Sequence, residues 1–433
     1  MGRVSASIPL QLLFLLAAVQ SLEHYGSSPI NRKTLYERKY RDPTQPGHPV
    51  VLVPGDGGSQ IEANLSKPEV VHYTCWKTTT DYFDLWLDLT FFVPVAIDCW
   101  VDNMRLVFNN ATGLSENSPG VDTRIPAFAG TSSVEWLDKS NRTQGRYFAD
   151  IADALTKWGY TRGKDLLGAP YDWRRAPHEH EAMGYYAMLR SMIESAYYFN
   201  NNKKVVILGH SMGNPVMLYF YHKIVSQEWK DKFIHSHISL AGAWGGSMQT
   251  VKLFASGYNM DFYRIILPPS TLRPMQRSFT SSAFLLPSAA LWGENEVFAT
   301  TVLKNYTMAN LEEFFTDMQY TLGWEQYQKT NYDRVGTLDA PGVKVHCIYG
   351  TKVNTPETFS WAPKDFPDSQ PTTFFGDGDG TVNIRSLEAC KRWNPENNSG
   401  KTVKAYPLEN ADHMGILADQ RIFDLLKTLL YED

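Results

Sequence analysis

The sequence predicts a protein of the α/β class, because two of its apolar strands run directly into glycine-rich turns. In the first, residues 49–53 form an apolar run that leads into Pro-Gly-Asp-Gly-Gly at 54–58. In the second, residues 205–208 lead into Gly-His-Ser-Met-Gly at 209–213, and an amphipathic stretch from about 215 to 225 follows. Strands that alternate with helices in this way are typical of α/β folds.

The Gly-x-Ser-x-Gly pattern at 209–213 indicates a nucleophile elbow with Ser211 at its tip. A strand that reverses straight into a helix leaves no room for side chains on either side of the serine, which explains both glycines. Ser211 is then held on a strained turn at a helix N-terminus, which favours negative charge. Three fixed positions match by chance about 0.1 times in a chain of this length, so a purely structural turn is the weaker interpretation.

The turn at 54–58 predicts the oxyanion hole of the same fold. In an α/β-hydrolase, a loop after an early strand supplies one backbone N–H, and the residue after the nucleophile supplies the other. Asp56 and Met212 are therefore the predicted donors. A phosphate-binding loop is less well supported, because the turn lacks the Gly-Lys-Ser/Thr of a P-loop and the Gly-x-Gly-x-x-Gly fingerprint.

Residues 1–26 are predicted to be a signal peptide, since a short basic start precedes an apolar core at 8–19 that is too short to span a bilayer. A secretory route agrees with five Asn-x-Ser/Thr glycosylation sequons, at Asn64, Asn110, Asn141, Asn305 and Asn397. On that route the cysteines are expected to form two disulfides. Three pairings are possible, and we expect nearest neighbours to pair: Cys75 with Cys99, and Cys347 with Cys390.

The stretch between the first two cysteines is rich in apolar residues but carries acids at 81, 84, 88 and 98, which makes it a poor transmembrane helix. Helical spacing places Phe83, Trp86, Leu87 and Leu89 on or near one face. Two interpretations are equally supported. One is a core helix followed by a strand; the other is a membrane-binding element, about residues 70–102, that contacts lipid through Phe83, Trp86 and Leu87.

Residues 253–338 are predicted to be a cap and lid insertion, because strand–helix alternation is lost there. The insertion divides a hydrolase core into residues 47–252 and 339–433. In the second part, a strand at 342–349, a Gly-Asp loop at 376–380, a strand at 401–406 and a helix from about 419 to 430 resume the pattern. Ser211, an aspartate of the loop (Asp377 or Asp379) and His413 follow the chain order of an α/β-hydrolase triad.

Composition excludes some classes of function. A net charge of −5 and a pI of about 6.1 give no electrostatic footprint for nucleic acid. The Asp-Gly-Asp-Gly run lacks the twelve-position register and closing glutamate of an EF-hand, so no calcium site is predicted. We expect neither a metal nor a cofactor.

Several motifs together resemble those of the lecithin:cholesterol acyltransferase family, which includes lysosomal (group XV) phospholipase A2. They are Val-Pro-Gly-Asp at 53–56, Gly-Ala-Pro-Tyr-Asp-Trp-Arg at 168–174, Gly-His-Ser-Met-Gly at 209–213, Trp-Gly-Gly at 244–246, Gly-Asp-Gly-Asp-Gly-Thr-Val at 376–382, and both cysteine pairs. The resemblance runs from about residue 48 to 430 and is closer to the lysosomal branch. It implies a mobile lid, a membrane-binding element in the first disulfide loop, and Asp379 as the triad acid.

The resemblance also implies calcium-independent release of fatty acid from glycerophospholipids, favoured at acid pH. The acyl group passes from Ser211 to water or to a lipid alcohol such as ceramide, with His413 as base and Asp379 orienting it. Expected partners are a phospholipid membrane surface and the acyl acceptor, and the expected location is the lysosomal lumen, with secretion as a second route. The alternatives are a secreted phosphatidylcholine-sterol O-acyltransferase and an inactive lipid-binding protein, the latter disfavoured by the intact triad.

Overall fold

The computed structural model describes residues 45–93, 96–141, 145–259, 268–331, 333 and 338–432. The predicted signal peptide, residues 1–26, lies outside the described residues, and so do residues 260–267 of the predicted lid. Among the described residues, no helix is both long enough and apolar enough to cross a bilayer.

The secondary structure alternates between strands and helices in most of the chain. The strands are β1 (Val50–Val53), β2 (Ile61–Leu65), β3 (Phe83–Trp86), β4 (Leu106–Asn109), β5 (Leu114–Asn117), β6 (Val121–Arg124), β7 (Leu166–Gly168), β8 (Val205–His210), β9 (Ile234–Leu240), β10 (Val297–Thr300), β11 (Asn305–Thr307), β12 (Val345–Thr351), β13 (Thr355–Ser360), β14 (Thr372–Gly376) and β15 (Val403–Glu409). The helices are α1 (Ile97–Met104), α2 (Ser132–Glu135), α3 (Ala149–Lys157), α4 (Pro177–Ala182), α5 (Tyr185–Phe199), α6 (Gly213–Tyr219), α7 (Gln227–Phe233), α8 (Gln249–Ser256), α9 (Pro269–Ser278), α10 (Thr280–Phe284), α11 (Ala289–Trp292), α12 (Leu311–Asp317), α13 (Thr321–Asn331), α14 (Ile384–Leu387) and α15 (Gln420–Leu429).

A parallel sheet with the strand order β15-β12-β9-β8-β1-β7 forms the main layer. Every residue of β1 and β8 is buried, as expected for central strands covered on both faces. Their unbroken apolar runs made these strands recognisable in the sequence. Because the strands are parallel, their carboxyl ends meet at one edge, where the turns after β1, β8 and β15 converge. The prediction of an α/β-hydrolase fold is confirmed.

A second layer is built around a mostly antiparallel sheet with the order β11-β10-β13-β14. Helices of the predicted insertion share an apolar core with this sheet, which includes Phe254, Phe298, Phe314, Phe315 and Trp361. Its strands β13 and β14 follow β12 of the main sheet, so the second layer takes residues from beyond position 338. The backbone leaving β14 leads directly to the Gly-Asp loop.

The segment near the first disulfide forms a small sheet, β3-β2-β6, followed by α1 and the β4–β5 hairpin. The helical interpretation of this segment is wrong at its start, because Phe83–Trp86 is a strand antiparallel to β2. Both disulfides have the nearest-neighbour pairing that we expected, Cys75 with Cys99 and Cys347 with Cys390. The second one joins β12 to the helical segment after the Gly-Asp loop.

Candidate active site

The turn between β8 and α6 holds Ser211 in the left-handed region, at φ 53°. A side chain on Gly209 would place its Cβ 2.7 Å from the Asn214 side-chain oxygen, and one on Gly213 would meet the Val53 carbonyl oxygen at 2.6 Å. Both glycines are therefore required by close approach, as the elbow geometry demands. The turn lifts the Ser211 hydroxyl toward the carboxyl edge of the sheet.

The structure brings Ser211, His413 and Asp379 together from three separate parts of the chain. The Nε2 atom of His413 lies 2.9 Å from Ser211 Oγ, and its Nδ1 atom lies 2.7 Å from Asp379 Oδ2. A carboxylate can only accept, so the Nδ1–H donates to Asp379 and leaves Nε2 free to accept the serine proton. This is the hydrogen-bond order of a serine nucleophile with its base and orienting acid.

The two aspartates of the Gly-Asp loop have different surroundings. The second oxygen of Asp379 accepts from the backbone N–H groups of Thr381 and Val382, at 3.0 and 2.7 Å. Asp377 faces away from the imidazole and accepts from the N–H groups of Gly378 and Lys352, at 2.7 and 2.6 Å. Asp379 is thus the carboxylate on the histidine, and Asp377 shapes the loop.

The turn after β1 packs directly against the nucleophile. A Cβ on Gly55 would approach Ser211 Cβ to 2.6 Å, so this position tolerates no side chain. The backbone N–H groups of Asp56 and Met212 donate no hydrogen bond to any other described residue. The turn after β1 and the start of α6 therefore leave two unpaired donors on either side of the serine.

Side chains of the Gly-Ala-Pro-Tyr-Asp-Trp-Arg motif hold this turn in place. The Tyr171 hydroxyl donates to the Pro54 carbonyl at 2.7 Å, and the Trp173 indole N–H donates to the Ser59 carbonyl at 3.1 Å. Beside them Asp172 forms ion pairs with two buried arginines, Arg174 and Arg175. Burial alone would raise the pKa of Asp172, but the two guanidinium groups hold it well below its usual value. Arg175 also pairs with the buried carboxylate of Glu179, so two carboxylates balance the two guanidinium groups.

Asp56 is the titratable group nearest the unpaired donors. Its side chain is exposed to solvent, although neighbouring protein groups displace part of its hydration shell. The resulting loss of hydration raises the pKa of its carboxyl to about 7. The carboxyl is therefore largely neutral in an acidic compartment and becomes charged in neutral or alkaline solution.

The structure contradicts one of the three predicted membrane contacts, Leu87, and leaves the other two, Trp86 and Phe83, half-buried. Leu87 is only 6 % exposed and belongs to the main apolar core. Trp86 lies at the active-site turn, where its indole N–H donates to the Gly57 carbonyl at 2.7 Å and its ring contacts Trp173. The third, Phe83, is half-buried. Strand geometry and the fold of the disulfide loop, rather than helical spacing, decide which of these side chains turn inward.

Other apolar residues in the disulfide loop, or just before it in the chain, are exposed instead. The set comprises Val71, Tyr73, Trp76, Leu89 and Val93, with Tyr73 95 % and Trp76 56 % exposed. Trp76 rests edge-on against Phe83 and Phe91, with ring centroids 5.4 and 6.0 Å away. Sequence reasoning missed most of this surface because exposure in an irregular loop has no periodic signal.

Two further sets of predicted residues concern ligands and glycans. Among the described residues, a grouping with metal-ligand spacing occurs only at His72, Cys75 and Cys99, and both sulfurs there are in a disulfide, so no thiolate is available. Of the predicted sequons, Asn110, Asn141, Asn305 and Asn397 are exposed, whereas Asn64 is half-buried in β2.

Comparison with known proteins agrees with this geometry. The family model for lecithin:cholesterol acyltransferase matches residues 82–420. The mouse protein named lysosomal phospholipase A and acyltransferase is 45% identical over 391 residues, which cover 90% of this chain and 92% of that protein. Mouse phosphatidylcholine-sterol acyltransferase is 38% identical over 383 residues, which cover 88% of this chain and 85% of that protein. In the solved Tle4–Tli4 complex, one chain aligns with 89% of this chain and 99% of its own length at a TM-score of 0.49 and 14% identity. The chain therefore belongs to the lecithin:cholesterol acyltransferase family.

Proposed function

We propose that this chain is a calcium-independent phospholipase and transacylase that acts at a membrane surface. It releases fatty acid from glycerophospholipids and passes the acyl group to water or to a lipid alcohol such as ceramide. The observation that carries the proposal is the hydrogen-bonded order Ser211, His413, Asp379 in a chain of this family. The relatives' names supply the substrate class, and the geometry supplies the chemistry.

In the first half-reaction, Ser211 Oγ attacks the ester carbonyl of the lipid while His413 Nε2 takes the hydroxyl proton. The carbonyl oxygen becomes an oxyanion, which the unpaired N–H groups of Asp56 and Met212 are placed to bind. When the tetrahedral intermediate collapses, His413 gives its proton to the leaving lysolipid alcohol. The acyl group remains as an ester on Ser211.

The second half-reaction runs the same steps with a new alcohol or with water. The acceptor O–H gives its proton to His413 Nε2, its oxygen attacks the acyl carbonyl, and Ser211 regains the proton as it leaves. Ser211 and His413 are each only 8% exposed, which limits the access of bulk water to the ester. Transfer of the acyl group to a lipid alcohol from the membrane can then compete with hydrolysis by water.

Calcium independence rests on the completeness of this set of groups. The base, the orienting carboxylate and both oxyanion donors are supplied by the chain itself. Charge that develops on the carbonyl oxygen meets two N–H groups, so the proposed chemistry contains no step that calls for an added cation.

Membrane action is supported by the exposed apolar residues of the disulfide loop. Side chains of Tyr73, Trp76, Leu89 and Val93 are exposed, and Trp76 packs on Phe83 in β3, the strand that ends at Trp86 beside the active-site turn. Aromatic and aliphatic groups of this kind insert into the headgroup region of a bilayer. The tether of the Cys75–Cys99 disulfide keeps this surface close to the site.

The lysosomal lumen is the proposed location, because the relatives named for that compartment are more similar than the sterol acyltransferases, 45% against 38% identity. Exposed sequon asparagines suit a glycoprotein of the secretory route.

The test compares products formed from mixed phospholipid liposomes that contain both ceramide and cholesterol, at acid and at neutral pH. We expect free fatty acid and acylceramide, mostly at acid pH, and retention of activity in the presence of a calcium chelator. Cholesteryl ester formed mainly at neutral pH would instead establish a sterol acyltransferase.

The matched variants are Ser211→Ala and Ser133→Ala. Ser133 is fully buried and its hydroxyl has no hydrogen-bond partner among the described residues. A fluorophosphonate should label one peptide, the one that contains Ser211, in the Ser133→Ala variant and none in Ser211→Ala. Full lipid turnover by Ser211→Ala would refute the proposed nucleophile.

A further inference from the structure

We propose that Tyr147 and His210 are positioning residues that tie the oxyanion-side turn to the backbone of the catalytic histidine. The proposal rests on the triad and oxyanion assignments of the proposed function. Neither side chain is placed to touch substrate, and both are buried behind the elbow, 3% and 1% exposed. Tyr147 and His210 affect the reaction through the backbone groups at the two ends of the hydrogen-bond chain that they form.

The chain has three links. The Gly55 backbone N–H donates to the Tyr147 hydroxyl oxygen at 2.9 Å. The Tyr147 hydroxyl lies 2.5 Å from His210 Nδ1, and His210 Nε2 lies 2.9 Å from the carbonyl oxygen of His413. One end is the residue before the Asp56 amide, and the other end is the main chain of the base.

The direction of every link follows from the chemistry of its ends. A backbone N–H can only donate and a carbonyl can only accept, so His210 must carry its proton on Nε2. Burial and the neighbouring His413 hold the pKa of His210 well below its usual value, so the ring is neutral and Nδ1 is an acceptor. The Tyr147 O–H therefore points at His210. No group in the chain has an alternative orientation that keeps all three bonds.

The far end of the chain completes the restraint on His413. Its backbone N–H donates to the Asp379 carbonyl at 2.8 Å, while its carbonyl accepts from His210. The peptide groups on both sides of the base are thus fixed, one to the acid loop and one to the elbow. At the near end, Tyr147 fixes the peptide group between Pro54 and Gly55, one peptide before the Asp56 amide.

These restraints matter because two groups must act on one ester carbonyl at the same time. The imidazole must meet the serine proton while the Asp56 amide meets the developing oxyanion. A displacement of about 1 Å between such groups costs roughly 100-fold in rate. The hydrogen-bond chain Gly55–Tyr147–His210–His413 joins the backbone of the base to the residue before Asp56.

The hydroxyl of Tyr147 can be removed without changing the volume of the side chain. In Tyr147→Phe we expect kcat on a soluble ester to fall about 10- to 100-fold while KM stays within about twofold, because binding is untouched and alignment is lost. The matched control is Tyr160→Phe, another buried tyrosine, whose hydroxyl donates to the His48 carbonyl before β1, at the opposite end of that strand. We expect wild-type turnover in the control.

His210→Asn cuts the same chain at its third link, since the shorter side chain does not reach the His413 carbonyl. If the residues act as one unit, this variant loses kcat by a similar factor, and the double variant loses no more than the worse single one. Multiplicative losses in the double variant would overturn the proposal, as would turnover within twofold of wild type in Tyr147→Phe. A fall in melting temperature in Tyr147→Phe well beyond that of Tyr160→Phe, with kcat and KM changed together, would also overturn it.

Fluorophosphonate labelling separates this proposal from the one on which it rests. The Tyr147→Phe and His210→Asn variants should still take one label on Ser211, and the labelling rate should fall in proportion to kcat. Absence of any label on Ser211 in the wild-type protein would contradict the nucleophile assignment itself.

Discussion

Replacement of Asp379 by asparagine is expected to silence the enzyme while leaving it folded. One oxygen of Asp379 accepts two backbone N–H groups, those of Thr381 and Val382, and the other accepts from His413. In Asp379→Asn the amide oxygen stays with the two backbone donors, so the NH2 group must face His413. A donor there forces the imidazole to accept at Nδ1 and to carry its proton on Nε2.

The size of the effect follows from that tautomer. Nε2 then presents an N–H to Ser211 Oγ instead of a lone pair, and no base remains to take the serine proton. An imidazole held in the wrong tautomer lowers turnover by about 10⁴, which corresponds to about 5 kcal/mol in the barrier. The fold should change little, because both backbone hydrogen bonds of the loop persist.

Asp377→Asn is the matched control, two positions away in the same loop. Asp377 is exposed, and its oxygen accepts from the N–H groups of Gly378 and Lys352. Asparagine keeps both bonds but loses their charge, which costs about 1 kcal/mol of the free energy of unfolding. Turnover should stay within a few-fold of wild type.

The assay is kcat on a soluble ester together with the denaturant midpoint of each variant. The reasoning fails if the two phenotypes are exchanged, with Asp377→Asn inactive and Asp379→Asn merely less stable. It also fails if Asp379→Asn retains more than about a tenth of wild-type turnover, a loss far smaller than the tautomer argument requires.

Two further predictions concern pH and lipid. Because the carboxyl of Asp56 has its pKa raised to about 7, it is neutral below that pH and charged above it, on the residue whose backbone N–H is the proposed oxyanion donor. Turnover of a soluble ester should therefore fall as pH rises through about 7, and Asp56→Asn should remove most of that fall; an unchanged profile in Asp56→Asn would exclude this carboxyl. Trp76→Ser combined with Leu89→Ser should weaken liposome binding and leave soluble-ester turnover near wild type. Leu87→Ser should instead lower the melting temperature, since Leu87 is buried. Equal loss of activity on liposomes and on the soluble ester in the double variant would mean that Trp76 and Leu89 are structural.

The parts of the fold that the sequence predicts are those whose chemistry is local. The strands β1 and β8 are recognisable because each begins with an unbroken apolar run, at 50–53 and 205–208, and a glycine-containing turn follows at once. The elbow is recognisable because its glycines are dictated by contacts within a few residues of Ser211 and with the turn after β1. Chain order then leaves His413 as the natural base.

The parts that were missed depend on contacts distant in sequence. Helical spacing mispredicts the strand at Phe83–Trp86, because two aromatic residues three positions apart fit a helical face, and only pairing with β2 reveals the strand. The pairing of β13 with β10, and of β14 with β13, brings residues from both sides of position 338 into one sheet. Tyr147 carried no sequence signal at all, since its role comes from a bond to His210 63 residues away.

The triad draws its members from two layers that fold around separate apolar cores. Ser211 belongs to the elbow of the main sheet, whereas Asp379 lies on backbone that has just left β14 of the second sheet. A nascent chain whose first layer has formed consequently has a serine on its turn but no acid to orient the histidine. Lipolytic power arises only when both layers have docked and His413 has bonded to the Asp379 carbonyl. A chain whose two layers have not docked therefore has no complete triad.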